Sequence, residues 1–197
     1  MAWSDSGIRA RERSTSARAR RFAAALLAAL LICTSTGRGQ NVTEPSLKAA
    51  FIYNFARFTE WPPGALPETA TFRACVMGDR DIPEALERIV KGRQLAGRAI
   101  SVSPVAADGT LRSCQVLYMS GLSASQLTTA VTAVRGAPIL TISDAENFAQ
   151  QGGIAQMFVE DGKMRFNLNL AVSRMSHLQL SSRLLALAAH VHDGAVQ

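Results

Sequence analysis

The sequence predicts an α/β domain: a mixed, mostly parallel sheet flanked by helices, ending in a C-terminal hairpin and helix. Two observations carry this prediction. Short apolar stretches alternate with helical stretches between residues 71 and 151, which is the rhythm of βαβ units. A period-2 pattern then runs on both sides of Asp161-Gly162, a residue pair that favours a two-residue type I′ hairpin turn.

Residues 1–39 have the pattern of a cleaved secretory signal peptide, which leaves residues 40–197 as one domain. An arginine-rich start precedes the apolar run Phe22–Ile32, and small polar residues follow up to Gly39. The apolar run has 11 residues, too few to cross a bilayer. We therefore expect an exported, periplasmic protein.

Removal of that leader changes the charge of the chain. Seven of the 21 Lys and Arg residues but only two of the 15 Asp and Glu residues lie in residues 1–39, so 14 basic and 13 acidic side chains remain. A nearly neutral domain has no basic patch for nucleic acid. About 158 residues are enough to form one core.

Cys75 and Cys114 are the cysteines left after cleavage. Both lie on apolar, strand-like stretches, and an oxidising compartment favours a disulfide between them. The alternative is two buried free thiols.

The first predicted helix, Pro45–Trp61, ends at Pro62-Pro63, because proline cannot continue a helix. Its periodicity places phenylalanine residues on the buried face and Tyr53 on the other. The following elements are a strand at Thr71–Met77, a helix at Asp81–Val90, strands at Ala99–Ser103 and Cys114–Met119, a helix at Ser123–Val134 capped by Ser123, a strand at Pro138–Ile142 and a short helix at Asp144–Gln151.

Gly152-Gly153 should end that short helix and begin the hairpin. The glycines either release the chain into the strand or mark an edge hairpin that accepts a partner strand. The predicted elements that follow are strands at Ile154–Glu160 and Lys163–Leu168, a short helix capped by Asn169, and a last helix capped by Ser181 with Leu184, Leu187 and Val191 on one face.

No pattern in the sequence predicts catalysis, a metal or a cofactor. The loop Lys91–Arg98 has glycines and cations, but its spacing fits no phosphate-binding motif. His190 and His192 form an H-x-H pair that lacks a nearby third ligand and is typical of a frayed helix end. The remaining carboxylates of interest are placed at helix starts, where free amides favour them: Asp79, Asp81, Asp144 and Glu146.

Several motifs follow one another between Lys48 and Ala188. These are KAAFIYNFARFTEWP at 48–62, CQVLYMS at 114–120, LTISD at 140–144, GGIAQMF at 152–158, GKMRFNLNL at 162–170 and LSSRLLALA at 180–188. In the order and spacing of these motifs, the chain resembles the YfiR family of small periplasmic regulators.

The resemblance implies a compact α/β sandwich without catalytic activity. It further implies a protein that binds the periplasmic sensory domain of a YfiN-like inner-membrane diguanylate cyclase and represses cyclic-di-GMP synthesis. An OmpA-like outer-membrane lipoprotein would relieve that repression by sequestration. A homodimer is also implied, and Cys75 and Cys114 stand where a family disulfide falls.

The sequence departs from the family pattern in two places. A second family disulfide flanks the Gly-Gly segment, but the nearest positions here are Ala149 and Gln156. Asn167 stands where related sequences often have glutamate.

The candidate partner-binding residues are Gly152, Gly153, Arg165, Asn167 and Asn169. The alternative function is a periplasmic small-ligand sensor, or a binding subunit for a histidine kinase or transporter.

Overall fold

The computed structural model describes residues 43–66, 70–106 and 109–194, so the predicted signal peptide lies outside the described residues. No helix in those ranges is long and apolar enough to span a membrane. The described helices are α1 (Glu44–Arg57), α2 (Ile82–Val90), α3 (Ala124–Val134), α4 (Leu170–Met175) and α5 (Ser182–Leu187), with a 3-10 turn at Leu111–Ser113.

The described strands are β1 (Thr59–Glu60), β2 (Phe72–Met77), β3 (Gln94–Leu95), β4 (Arg98–Pro104), β5 (Val116–Met119), β6 (Leu140–Ser143), β7 (Ala155–Glu160), β8 (Lys163–Asn169), β9 (Gln179–Leu180) and β10 (His190–His192). Eight of them form one sheet in the order β10-β8-β7-β6-β5-β2-β4-β3, and β1 and β9 form a separate antiparallel pair. All neighbours in the large sheet are parallel except the β7–β8 and β3–β4 pairs, which confirms the mixed, mostly parallel sheet.

The central strands are buried on both faces, so their sequences are nearly continuous apolar runs. Along β2, Ala74 and Val76 belong to the core that also contains residues of α1 and α2. Cys75 and Met77 belong to the core on the opposite face, which contains residues of α3. Two cores on one sheet are what the predicted βαβ rhythm requires.

The first helix is shorter than predicted, because the chain leaves α1 after Arg57 and pairs as β1 with β9. Phe55 is fully buried as expected. Tyr53, which periodicity places on the open side, is also buried, and the Arg93 guanidinium lies 4.9 Å from the centre of its ring. The prediction for Tyr53 was wrong because a second helix, α2, packs against α1.

Local capping and turn chemistry was predicted correctly. Ser123 and Gln126 form a complete capping box at the start of α3. The Asn169 and Ser181 side chains accept hydrogen bonds from the first turns of α4 and α5. At the hairpin turn, Asp161 and Gly162 have φ of 50° and 70°, as a type I′ turn requires.

The short helix predicted at residues 144–151 is wrong. This segment forms consecutive turns, and Asn147 has a φ of 57°, outside the helical region. The segment instead turns Phe148 and Ala149 into the interior, where both are fully buried. Burial of the phenylalanine ring against the α3 side of the sheet outweighs continuation of a marginal helix.

The last predicted helix also ends earlier than the periodicity indicates. Leu184 is buried, but Leu187 and Val191 are exposed, so the three residues do not share a buried face. After Leu187 the chain becomes β10, which pairs in parallel with β8. His190 and His192 therefore lie on a strand, and their interpretation as a frayed helix end was wrong.

Cys75 and Cys114 form a disulfide, with their Cα atoms 5.9 Å apart. Cys114 directly follows the 3-10 turn and precedes β5, while Cys75 lies within the neighbouring strand β2. The bond joins positions that are 39 residues apart in the sequence. Its presence decides against the alternative of two free thiols.

Candidate functional site

Two polar features stand out on the described structure. The first is an ion pair at the carboxyl ends of β5 and β6, where open parallel sheets commonly place functional groups. Asp144, directly after β6, accepts through Oδ2 from Lys48 Nζ at 2.6 Å, from Ser120 Oγ at 2.9 Å and from Tyr118 Oη at 3.2 Å. Lys48 also pairs with Glu44 Oε1 at 2.8 Å.

Burial opposes the charge on both Lys48 and Asp144, but the hydrogen bonds and charges around each group together outweigh it. Burial alone would raise the pKa of Asp144; the hydrogen bonds from Lys48 and Ser120 hold that pKa below its usual value. Burial alone would lower the pKa of Lys48; the hydrogen bonds to Asp144 and Glu44 raise that pKa above its usual value. Burial raises the pKa of Tyr118. Neither charge titrates near neutrality, so the arrangement suits holding α1 to the sheet better than moving a proton.

This ion pair was not predicted, because its two residues are 96 positions apart. Asp144 was assigned to a helix start, and that was wrong, since no helix begins there. Asp79 was assigned correctly: its Oδ1 accepts from the backbone N–H groups of Asp81 and Ile82 at the start of α2. A signal for the pair was nevertheless present, since Lys48, Tyr118 and Asp144 fall in three of the motifs quoted for the family resemblance.

The second feature is the segment around Gly152-Gly153. Gly153 lies directly against Phe148, and a Cβ on it would sit 2.1 Å from Cε1 of that ring. Gly152 has a φ of +96°, which favours glycine. The glycine pair therefore lets the chain pass over the buried phenylalanine and enter β7.

Asn169 ties this segment to the hairpin. It is 2% exposed, its Oδ1 accepts from Val172 N–H, and its Nδ2 donates to the Ala149 carbonyl oxygen at 2.6 Å. The Ala149 N–H donates in turn to Gln156 Oε1 at 3.4 Å. Ala149 and Gln156 are the positions nearest to the missing second disulfide, so hydrogen bonds join the two segments that a disulfide would otherwise link.

Arg165 and Asn167 lie on the same face of β8 but in different surroundings. Arg165 is exposed, and its Nε lies 3.5 Å from Glu160 Oε2. Asn167 is 8% exposed, and its Oδ1 is buried with no hydrogen-bond partner in the described part of the chain. On β10, His192, which lies opposite Asn169, has a buried Nε2 that also lacks a partner among the described residues.

The hairpin is not a free sheet edge near Gly152-Gly153, which corrects the edge-hairpin interpretation for that part, whereas residues 163–166 of β8 have only β7 beside them in the described chain. Strand β8 lies between β7 and β10, and β10 covers its positions 167–169. On the other side, β6 pairs only with Ala155 and Gln156 of β7. The tip of the hairpin, from Val159 to Lys163, therefore extends past its neighbours and is exposed.

The predicted candidate residues thus divide into one exposed residue and a set of internal ones. Arg165 faces solvent, whereas Gly153, Asn167 and Asn169 are buried and Gly152 is partly buried. Within residues 43–66, 70–106 and 109–194, no group of three His, Cys, Asp or Glu residues is placed to hold a metal ion.

Comparison with known proteins agrees with the sequence resemblance. The fold is similar to the crystal structure of a conserved domain protein from Vibrio cholerae O1 biovar El Tor, at a TM-score of 0.50 and 12% sequence identity. The match covers 76% of this chain, and this chain spans 60% of the length of that protein, so the likeness concerns the fold alone. No curated protein sequence matches the chain.

A family profile described as YfiR/HmsC-like matches residues 45–189, which include the Lys48–Asp144 ion pair, the disulfide and the whole hairpin. This family consists of regulators, not enzymes, and supports a general role as a periplasmic regulator of diguanylate cyclase signalling. The chain belongs to the YfiR/HmsC-like family.

Proposed function

We propose that this protein represses an inner-membrane, YfiN-like diguanylate cyclase by binding the cyclase's periplasmic sensory domain, which lowers cyclic-di-GMP. The observation that carries the proposal is the family match across residues 45–189, nearly all of the described chain. Repression by binding requires that the protein bind the inactive state of the cyclase more tightly than the active state. The proposal includes a homodimer and an OmpA-like outer-membrane lipoprotein that relieves repression by sequestration.

The proposed partner-binding region is the β7–β8 hairpin with the Gly152-Gly153 segment. Arg165 is its direct contact, because its guanidinium is exposed and loosely paired with Glu160. Asn169 and the two glycines act by fixing the position of the hairpin from inside. Asn167 completes the region, since an unsatisfied amide oxygen at that position replaces the carboxylate common in relatives.

Co-purification with full-length membrane cyclases tests this region. The protein is expressed with a cyclase that has a periplasmic domain, and the complex is extracted in detergent and recovered through a tag on the cyclase. We expect recovery with the wild type and a loss of roughly tenfold for Arg165→Glu, which reverses one exposed charge at the contact. The matched control is Arg112→Glu, a charge reversal at another exposed arginine outside the hairpin.

Equal recovery of the wild type and both variants would remove Arg165 from the contact. Failure of the wild type to bind any such cyclase would contradict the proposed function itself. Because both arginines are exposed, neither substitution should change the free energy of unfolding by more than about 0.5 kcal/mol.

A second candidate function is a small-ligand sensor or binding subunit that serves a histidine kinase or transporter. The observation that favours it is a cleft of about 510 Å³ between α3 and α4, within the size range of small-molecule sites. The neighbouring gene distinguishes the two candidates: a membrane diguanylate cyclase supports the first, and a kinase or transporter supports the second.

A further inference from the structure

The cleft between α3 and α4 has apolar walls on both sides. Val131 and Val134 line it from α3, and Ala171 and Met175 line it from α4. Ile139, just before β6, lines the space between the two helices. Met175 is exposed, and a flexible methionine side chain can adjust to the shape of a bound apolar group.

The polar side chains in the cleft are donors. Arg135, at the end of α3, is exposed, and its guanidinium has no hydrogen-bond or ion-pair partner among the described residues. Ser176 is 5% exposed, and its hydroxyl makes no hydrogen bond in the described part of the chain. Thr141 Oγ1 accepts from the Ile154 N–H at 3.0 Å, which leaves its hydroxyl proton free to donate.

No Asp or Glu side chain lines this cleft, so an unpaired cation and two hydroxyl donors face an apolar space. Such a site matches a ligand with an anionic acceptor group at one end and an apolar body at the other. A carboxylate fits the planar fork of a guanidinium through two parallel hydrogen bonds. An uncharged apolar ligand would leave the buried Ser176 and Thr141 hydroxyls unpaired, which costs free energy.

We propose that this cleft binds a small organic carboxylate with an aliphatic body. Arg135 holds the carboxylate, the Ser176 and Thr141 hydroxyls donate to acceptor atoms of the ligand, and the valines of α3 face Met175 across the apolar chain. The site goes beyond the proposed repressor function and does not depend on it.

The cleft also reaches the hairpin region. Gly152 lines it, and a Cβ on Gly152 would sit 3.6 Å from Cγ1 of Val131. A ligand in the cleft therefore contacts the residue immediately before Gly153, which packs on Phe148. This short segment connects the cleft to the start of the hairpin.

The test uses the purified exported protein with octanoate as the probe and 1-octanol as its uncharged analogue. Isothermal titration calorimetry measures affinity, and the NMR signal of the Met175 methyl group, assigned with Met175→Leu, reports where the probe binds. We expect saturable octanoate binding at one site, a shift of the Met175 signal, and roughly tenfold weaker binding of octanol.

Arg135→Gln should weaken octanoate binding roughly tenfold and leave octanol binding unchanged, because only the charged pairing is lost. Arg112→Gln is the matched control at an exposed arginine outside the cleft and should bind octanoate as the wild type does. Ala171→Phe should abolish the binding of both probes by filling the cleft, with an unchanged circular dichroism spectrum as the check on folding.

Absence of octanoate binding up to about 5 mM would overturn the proposal, since that corresponds to an affinity of only about 3 kcal/mol. Equal binding of octanoate to the wild type and Arg135→Gln, or a Met175 signal that does not move at saturation, would also overturn it. If Ala171→Phe does not fold, the Arg135→Gln comparison alone decides.

Discussion

Removal of the Lys48 ammonium should destabilise the protein by about 2 kcal/mol in Lys48→Met, a substitution that keeps most of the apolar stem. The side chains of Lys48 and Asp144 are 13% and 22% exposed. Loss of one partner of a fully buried pair costs about 3–5 kcal/mol, and loss of an exposed pair costs less than about 1 kcal/mol. The expected value lies between these limits, because Ser120 and Tyr118 still donate to the remaining carboxylate.

Urea unfolding of the wild type, Lys48→Met, Asp144→Asn and the double variant measures this value. The double-mutant cycle should give a coupling free energy of about 1–2 kcal/mol between the two side chains. The matched control is the Arg88–Glu84 pair on α2, whose side chains are 63% and 76% exposed. If the free energy of unfolding of Lys48→Met lies within about 0.5 kcal/mol of the wild-type value and the coupling free energy is zero, the conclusion that this ion pair holds α1 to the sheet is refuted.

The same pair sets the expected dependence of stability on pH. Because the folded pKa of Asp144 lies below the unfolded value of 3.8, its contribution is complete above about pH 4 and is lost as the pH falls through the folded pKa. Because the folded pKa of Lys48 lies above 10.5, its contribution is complete below that pH and is lost as the pH rises through the folded pKa. Asp144→Asn should therefore flatten the acid side of the stability profile, measured by urea unfolding between about pH 2 and pH 7.

Three further predictions concern the disulfide and the Gly-Gly segment. Replacement of Cys75 and Cys114 by alanine should cost about 4 kcal/mol on the chain-entropy estimate for a bond spanning 39 residues, and a melting temperature unaffected by reductant in the wild type would contradict this. Gly153→Ala should cost about 1–3 kcal/mol in urea unfolding, because its Cβ would sit 2.1 Å from a buried phenylalanine ring; wild-type stability would show that the ring moves freely. In Ala149→Cys/Gln156→Cys, a second disulfide should form during export and stabilise by about 2 kcal/mol, and two reactive thiols in the denatured, non-reduced variant would rule it out.

The parts of the fold that the sequence predicted correctly depend on local chemistry. A type I′ turn needs positive φ at two adjacent positions. The Asp161-Gly162 pair favours such angles and can be recognised in the sequence alone. The capping residues Ser123, Asn169 and Ser181 act within three residues of their own positions. Strands β2 and β5 could be predicted from their apolar runs because both faces of these strands are buried.

The parts that failed depend on contacts between distant residues. Strand β10 is three residues long, and its sequence, His190–His192, has no strand signal apart from its pairing with β8. The helix expected at residues 144–151 is lost because Phe148 gains more from burial in the core than from a short helix. The Lys48–Asp144 pair joins α1 to the end of β6, and no local pattern specifies which lysine meets which carboxylate.

The structure brings the residues proposed for partner binding into one region, but most of them are not on its surface. The hairpin and the Gly-Gly segment do contact each other, through Asn169 and Ala149. However, three of the five candidate residues are internal: Gly153 packs against Phe148, and Asn167 and Asn169 lie where β10 pairs with β8, whereas Arg165 is nearer the exposed tip. Arg165 is the exposed member and so the best position for a partner-specific variant.

The cellular level of cyclic-di-GMP in a strain that lacks this gene tests the proposed repression most directly. With the membrane cyclase intact, we expect a severalfold rise in cyclic-di-GMP, a return to the original level when the gene is restored, and no rise when the cyclase gene is deleted as well. An unchanged cyclic-di-GMP level in the deletion strain, with the cyclase present and expressed, would contradict the proposed repression.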